Sequence, residues 1–361
     1  MFSFKTSGMA NFFFKSLLLL CLTVIPVLAV NYVIDPLQCL RAATWYRPLY
    51  DSNERMQNPC LARTHAYDTV IIGTSNVENF DPAYMDEALG AATLKLAMAG
   101  STLREQRSIL ELAIRTGKTK RVVWGVETAL LGDDPDRVRD DIVRFPSHFY
   151  DTGWKGTLLY LLDPYLTKHY AKMIANRLFG FNEQYTDLRT LNSWQHLFTF
   201  SKERALAFYQ AVRETNMQVM DVNTVVTDSP ENIRQNILQP IRENPDVKFL
   251  IFFPPYSILR FAHLYEQNRF WFETEFTLKE QLIRELLAMD NAEIFEFQDL
   301  DAITFHLDNY KDLTHYSKDI NSYLMDSLAS GRDRIRPGAS PTTSLSRIRT
   351  QVENFQLSQV E

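Results

Sequence analysis

Two distant stretches of this chain carry residue types that together can activate a hydroxyl. In TVIIGTSNVENF an apolar run, Thr69–Ile72, passes directly into Gly73-Thr74-Ser75-Asn76. Far downstream, DNYKDLTHYS holds Asp312-Leu313-Thr314-His315. A serine hydroxyl becomes a useful nucleophile only beside a base. Histidine suits that role because its pKa lies close to neutral. The second ring nitrogen must be held by an acceptor that fixes the tautomer, and Asp312, three residues before His315, is near enough to do so. Negative charge developing on a carbonyl oxygen then needs donors. The backbone N–H groups of Ser75 and Gly100 are candidates, the latter beside the start of a helix. Each feature alone has an ordinary structural reading as a small polar loop or a packed histidine. Their conjunction carries the argument.

These residues need a scaffold that gathers them. Five short apolar runs rich in β-branched and aromatic residues read as strands: Thr69–Ile72, Leu94–Met98, Arg121–Val126, Lys248–Phe253 and Glu293–Phe297. Helical patterns separate them. Thr102-Leu103-Arg104-Glu105 is a capping box opening a helix to about Thr116, with Gly117 placed to stop it. Thr277-Leu278-Lys279-Glu280 reads as a second box, opening a helix to about Met289, and Ser317 caps a helix over Lys318 to Leu328. Alternating strands and helices predict an α/β domain, a three-layer α/β/α flavodoxin-like sandwich on a five-stranded parallel sheet, with ligands beyond the strands' carboxyl ends. Ser75, Gly100, the Gly125-Val126-Glu127-Thr128 run and the Asp312–His315 loop all fall at that edge. Residues 133–245 form a helical insertion between strands three and four, readable as a lid over the site or as packing on the domain's side.

The amino terminus has a different character. Residues 16–34, SLLLLCLTVIPVLAVNYVI, contain no charge and are long enough to cross a bilayer. Lys5 and Lys15 precede them without an acidic residue, which predicts a cytoplasmic tail over 1–15, a signal-anchor over 16–34 and an exported remainder. A signal peptide cleaved after Val27-Leu28-Ala29 is the competing reading. An irregular stalk is expected over 35–66, the catalytic-type domain over 67–330, and a flexible tail, with a short helix at most, over 331–361. Cys39 and Cys60 fit either a disulfide of an oxidising compartment or two buried thiols. The net charge of −6, with charges well mixed, offers no basic surface for nucleic acid. There is no Gly-x-x-x-x-Gly-Lys phosphate loop, no dinucleotide glycine motif and no zinc-ligand spacing, so no cofactor or metal is expected.

The order of these blocks resembles the SGNH (GDSL-type) hydrolase superfamily. There a serine follows strand one, a glycine strand two, an asparagine strand three, and Asp-x-x-His precedes the last helix. The resemblance implies Ser75 as nucleophile, Gly100 as oxyanion donor, and Asp312 and His315 as the acid/base pair. The membrane-anchored layout is most similar to the branch containing alginate O-acetylation proteins and the D-alanine transfer protein of teichoic acid synthesis. It therefore implies an extracytoplasmic acyl esterase or O-acyltransferase acting on cell-envelope polysaccharide, beside a membrane-bound O-acyltransferase. Gly-Thr-Ser replaces the family's Gly-Asp-Ser, and Gly125-Val126-Glu127-Thr128 replaces its Gly-x-Asn-Asp. Asn76 or Thr128 is then expected to stand in for the missing asparagine donor. The carboxylate of Glu127 opposes an oxyanion unless neutralised or turned away, which also motivates a non-catalytic binding or scaffold role.

Overall fold

The computed structural model describes residues 6–141, 144–180, 186–215, 229–336, 338 and 342–360. Helices α1 (Thr6–Ile34) and α2 (Glu54–Thr64) precede β1 (Thr69–Ile72). Helix α3 (Pro82–Leu89) leads to β2 (Thr93–Lys95), and α4 (Leu103–Arg115) to β3 (Arg121–Gly125). Then come α5 (Ser147–Tyr150), α6 (Trp154–Leu162), α7 (Pro164–Phe179) and α8 (Lys202–Thr215). A run of α9 (Glu231–Ile233), a π-helical turn (Arg234–Leu238) and α10 (Gln239–Glu243) enters β4 (Lys248–Phe253). The chain continues through α11 (Ile258–Gln267), α12 (Arg269–Leu287), β5 (Ala292–Glu296), α13 (Asp301–Thr304), α14 (Lys318–Ser330) and α15 (Thr342–Glu353). Two compact units result: Met1–His65 with Pro146–Asp187, and Ala66–Phe145 with Leu188–Glu361.

The second unit is built on a five-stranded, all-parallel sheet in the order β2-β1-β3-β4-β5. β1 is buried along its whole length, as are β3 and β4 beyond their first residues. That two-sided burial is why these strands are continuous apolar runs instead of alternating ones. All five strands lie where the apolar runs predict, with ends shifted by a residue or so. β2 is the exception, a three-residue strand where five residues were expected. The chain still runs beside β1 past its end, because the amides of Leu96 and Met98 donate to the carbonyls of Ile71 and Gly73 at 2.8 and 2.9 Å.

Helix α4 starts at the expected capping box. The Thr102 hydroxyl accepts from the Glu105 amide at 3.3 Å, and the Glu105 carboxylate accepts from the Thr102 amide at 3.1 Å. The second box is a correction. α12 begins eight residues before Thr277, capped by Asn268, whose side-chain oxygen accepts from the Trp271 amide at 3.1 Å. Mid-helix, the Thr277 hydroxyl donates back to the Glu273 carbonyl at 2.8 Å. A threonine hydroxyl can satisfy either role, and burial of Phe272 and Phe276 decides for the longer helix. The segment beyond 331 also departs from a flexible tail, since Leu345, Ile348 and Val352 of α15 are buried in this unit's core.

The first unit begins with α1, of which Met9–Ile34 is long and apolar enough to span a membrane or serve as a signal-anchor. Its last carbonyls are not left bare. Arg41 donates to the carbonyls of Tyr32 and Val33, the latter at 2.9 Å, and the Tyr46 hydroxyl donates to that of Ile34 at 2.9 Å. A cation there also complements the negative end of the helix dipole. The Asp35 carboxylate accepts from the amides of Cys39, Leu40 and Arg41 and from the Tyr160 hydroxyl at 2.6 Å. Within the segment expected as an irregular stalk, α2 is a helix buried on most sides, and Cys60 of α2 forms a disulfide with Cys39. Part of the expected insertion, α5 to α7, belongs to this same unit.

Candidate functional site

β1 ends in a turn whose first helical residue is Ser75, within a short 3-10 segment Ser75–Val77. The turn lies hard against β3. A Cβ added at Gly125 would stand 2.8 Å from a methyl of Val77 and 3.0 Å from the Phe252 ring, so only glycine lets the two segments approach this closely. β2 is followed by a turn from Met98 to Ser101, with Gly100 at φ +58°, and α4 begins at once beyond it.

The Asp312–His315 segment is a tight loop closed by an antiparallel bridge between Tyr310 and Tyr316 and by the Lys311 amide donating to the His315 carbonyl at 3.1 Å. Ser257, just after β4, pins the loop from outside, its amide and hydroxyl both donating to the Leu313 carbonyl at 3.0 and 2.9 Å. The Tyr316 hydroxyl, fully enclosed, donates to the Asn76 carbonyl at 2.8 Å and ties this loop to the serine turn.

The outcome is a linear relay. Ser75 Oγ lies 2.8 Å from His315 Nε2, and His315 Nδ1 lies 2.8 Å from Asp312 Oδ2 and 3.1 Å from Oδ1. Asp312 Oδ1 also accepts from the amides of Thr314 and His315, each at 2.9 Å. Burial opposes the charge on Asp312. The His315 hydrogen bond and charge, with the two amides, outweigh it and hold the carboxyl well below the usual carboxylate range. Asp312 is therefore an anion at neutral pH. It selects the tautomer with the proton on Nδ1, leaving Nε2 free to accept from the serine hydroxyl.

A cavity of about 230 Å³ opens at this junction, with Ser75, His315, Gly100, Tyr256, Arg139 and Arg260 in its wall. Among the described residues the amides of Ser75 and Gly100 donate to no protein acceptor, so both remain available to a ligand's oxygen. The other expected residues are engaged elsewhere. Asn76 Nδ2 donates to Glu127 Oε1 at 2.8 Å, and the Thr128 hydroxyl donates to Glu275. Glu127 takes three donors, Asn76, the Thr74 hydroxyl and the Tyr256 hydroxyl, the last at 3.0 Å. Burial, then the charge of Glu127, pushes the Tyr256 phenol well above its ordinary pKa, so it stays a donor. Glu275 in turn makes a two-pronged pair with Arg260, both contacts 2.7 Å and both side chains buried.

Several residues at the site have no counterpart in the motif reading. The Trp194 indole N–H donates to the Ser75 carbonyl at 3.2 Å, and its ring meets the His315 imidazole edge-on with centroids 5.2 Å apart. The Lys311 ammonium sits 4.4 Å from the Trp194 ring centre and 3.5 Å from Asp312. Trp194 comes from the stretch expected as an insertion, where no local pattern marks it. Tyr256 follows Pro254-Pro255 just beyond the end of β4, and the pairing of β3 with β4 brings it to its partner Glu127. No protein-family model and no curated protein sequence matches this chain.

Proposed function

We propose that this protein is a membrane-tethered serine acyl esterase or O-acyltransferase of the SGNH type, acting outside the cytoplasm on cell-envelope polysaccharide. The observation that carries the reading is the relay from Ser75 through His315 to Asp312, with contacts of 2.8 Å at each joint. Supporting it, the strand order 2-1-3-4-5 is that of flavodoxin-like three-layer domains, and the three residues meet at the carboxyl edge where such sheets bind ligands. In the first half-reaction Ser75 Oγ attacks an acyl carbonyl while His315 Nε2 takes the hydroxyl proton. The oxyanion is met by the amides of Ser75 and Gly100. Collapse expels the leaving group, which takes the proton from His315, and an acyl-serine remains. In the second, His315 deprotonates a sugar hydroxyl or water, that oxygen attacks the acyl carbonyl, and Ser75 recovers its proton. A membrane-bound O-acyltransferase fits as the partner that supplies or receives the acyl group. Neither half-reaction requires a cofactor.

A second reading has its own observation. Asn76 is committed to Glu127 and Thr128 to Glu275, so neither of the two expected stand-ins supplies the third oxyanion donor of the family pattern, and one such donor is worth roughly 3 to 4 kcal/mol. A scaffold or polysaccharide-binding subunit that keeps the fold with weak chemistry follows from that loss. Treating the full chain with a fluorophosphonate and mapping the adduct by mass spectrometry separates the two. Labelling at Ser75 that vanishes in His315→Ala supports the enzyme. A folded protein that stays unlabelled overturns it in favour of the scaffold.

A further inference from the structure

Helix α6, WKGTLLYLL, has the wrong surface for a helix bathed in water. Tyr160 and Gly156 face inward, whereas Trp154 is 72 % exposed and Leu158, Leu159 and Leu162 are between 40 % and 54 % exposed. Trp154, Leu158 and Leu162 are spaced four apart, so they form one stripe along the helix. Within the same unit α6 packs on α1, and Asn31 Nδ2, in the last turn of α1, donates to the Leu161 carbonyl at 2.8 Å. The Tyr160 hydroxyl is bonded to Asp35, the residue immediately after α1.

We infer that α6 is a second membrane contact, lying along the bilayer surface with its Trp154–Leu162 stripe among the lipid acyl chains beside the exit of α1. The inference rests on α1 spanning the bilayer and goes beyond the proposed chemistry. Its grounds are continuity and composition. The carboxyl-terminal turns of α1 present Val30, Tyr32 and Val33 outward, and the bonds of Asn31 and Tyr160 hold α6 at that level. A helix nine residues long with one exposed apolar stripe fits the boundary between headgroups and acyl chains, 5 to 10 Å deep. Lys155 is the only charged residue in α6; its ammonium lies 5.7 Å from the Trp154 ring centre, and the long stem lets the charge reach the headgroups while the indole stays at the interface. An anchor joined by a loose stalk lets the rest of the protein tumble. Two contacts braced against each other fix the first unit's orientation on the membrane.

The test uses the full chain in lipid nanodiscs containing a phospholipid with a photoactivatable group on its acyl chain, followed by digestion and mass spectrometry. Adducts are expected on both α1 and the Trp154–Leu162 peptide. In Leu158→Glu/Leu159→Glu the α6 adducts are expected to be lost while α1 labelling persists. Adducts confined to α1 in the unmodified chain overturn the inference and leave the anchor standing. Adducts on neither helix overturn both. Because the unmodified chain alone decides the question, a variant that fails to fold does not blunt the test. An α6 face that is unlabelled yet shielded from water-borne reagents would identify a protein occupant and equally overturn the lipid assignment.

Discussion

Replacing Asp312 with asparagine isolates what the carboxylate does for His315. Asp312 Oδ1 is committed to the amides of Thr314 and His315, and a carboxamide oxygen can keep both bonds. The carboxamide nitrogen then takes the place of Oδ2, 2.8 Å from His315 Nδ1. Two donors cannot face each other, so the imidazole moves its proton to Nε2 and presents N–H to the Ser75 hydroxyl. The base is thereby switched off without dismantling the loop. General-base assistance is worth about 100- to 10,000-fold, which corresponds to roughly 3 to 5 kcal/mol of barrier. The rate of Ser75 phosphonylation at neutral pH, followed by intact-protein mass, is expected to fall by that range in Asp312→Asn. His315→Ala should fall as far, and the double variant hardly further, because the two residues act as one unit. Thermal melting should show Asp312→Asn folded, its cost limited to one charge-assisted hydrogen bond of roughly 1.5 to 3 kcal/mol. Phosphonylation of Asp312→Asn at the unmodified rate would refute the relay, since the serine would then be reacting without an oriented base.

Three further outcomes test the scaffold. Burial, then the negative charge of Glu296, pushes Asp299 up from 3.8 to about 6. Between those values the folded chain holds a proton that the unfolded chain has released, so stability falls as pH rises through this window. The full shift corresponds to about 3 kcal/mol, and partial solvent exposure reduces it to roughly 1.5. Asp299→Asn should therefore raise the melting temperature above pH 6 and leave it unchanged below pH 4, as scanning calorimetry at both ends can check. Gly125→Ala places a methyl against Val77 and Phe252 and should cost about 1 to 3 kcal/mol. Val77→Ala added to it should recover part of that loss in denaturant titration. The Cys39–Cys60 bond closes a loop with a separation of 21 residues, and Cys60→Ser should cost about 3 kcal/mol in the chain-entropy account. Hydrogen exchange should show the loss concentrated in α2, with the sheet unaffected.

What could be read from the sequence is what local physics encodes. The strands announced themselves because a parallel sheet buried on both faces demands unbroken apolar runs, and Thr69–Ile72 or Lys248–Phe253 have no competing pattern. The start of α4 was legible because a capping box is complete within four residues. The Thr277 box failed for an instructive reason. Its four residues satisfy the motif, but buried aromatic residues upstream extend the helix through it, and tertiary burial outweighs a cap worth about 1 kcal/mol. The helix over 54–64 is masked in the sequence by Pro59, which cannot donate to the Arg55 carbonyl one turn back; the Tyr150 hydroxyl donates to that carbonyl instead, at 3.3 Å.

At the site, the residue types were visible but their engagement was not. Glu127 looked like a liability at the end of β3, because a carboxylate repels an oxyanion. The structure gives it other work. It collects the Thr74 hydroxyl, the Asn76 amide and the Tyr256 hydroxyl, which belong to the turn after β1 and the segment after β4. β3 lies between those two strands in the sheet, so an acceptor at its end can bind both neighbours at once. Ser75 is thus flanked by two residues, Thr74 and Asn76, whose side chains are tied to the same carboxylate, while Trp194 and Tyr316 hold the carbonyls of Ser75 and Asn76. Backbone and side chains of the turn are constrained from three other segments before any ligand arrives. An asparagine at position 127 has one acceptor oxygen where the carboxylate has two, and it could not receive all three donors with equal geometry. On the proposed reading, a glutamate where the resembled family carries asparagine gives up a direct donor toward the cavity and in return fixes the position of Ser75. A carboxylate can therefore line the same cavity as the serine–histidine pair with its charge met on both oxygens, by Thr74 and Asn76 on one and by Tyr256 on the other.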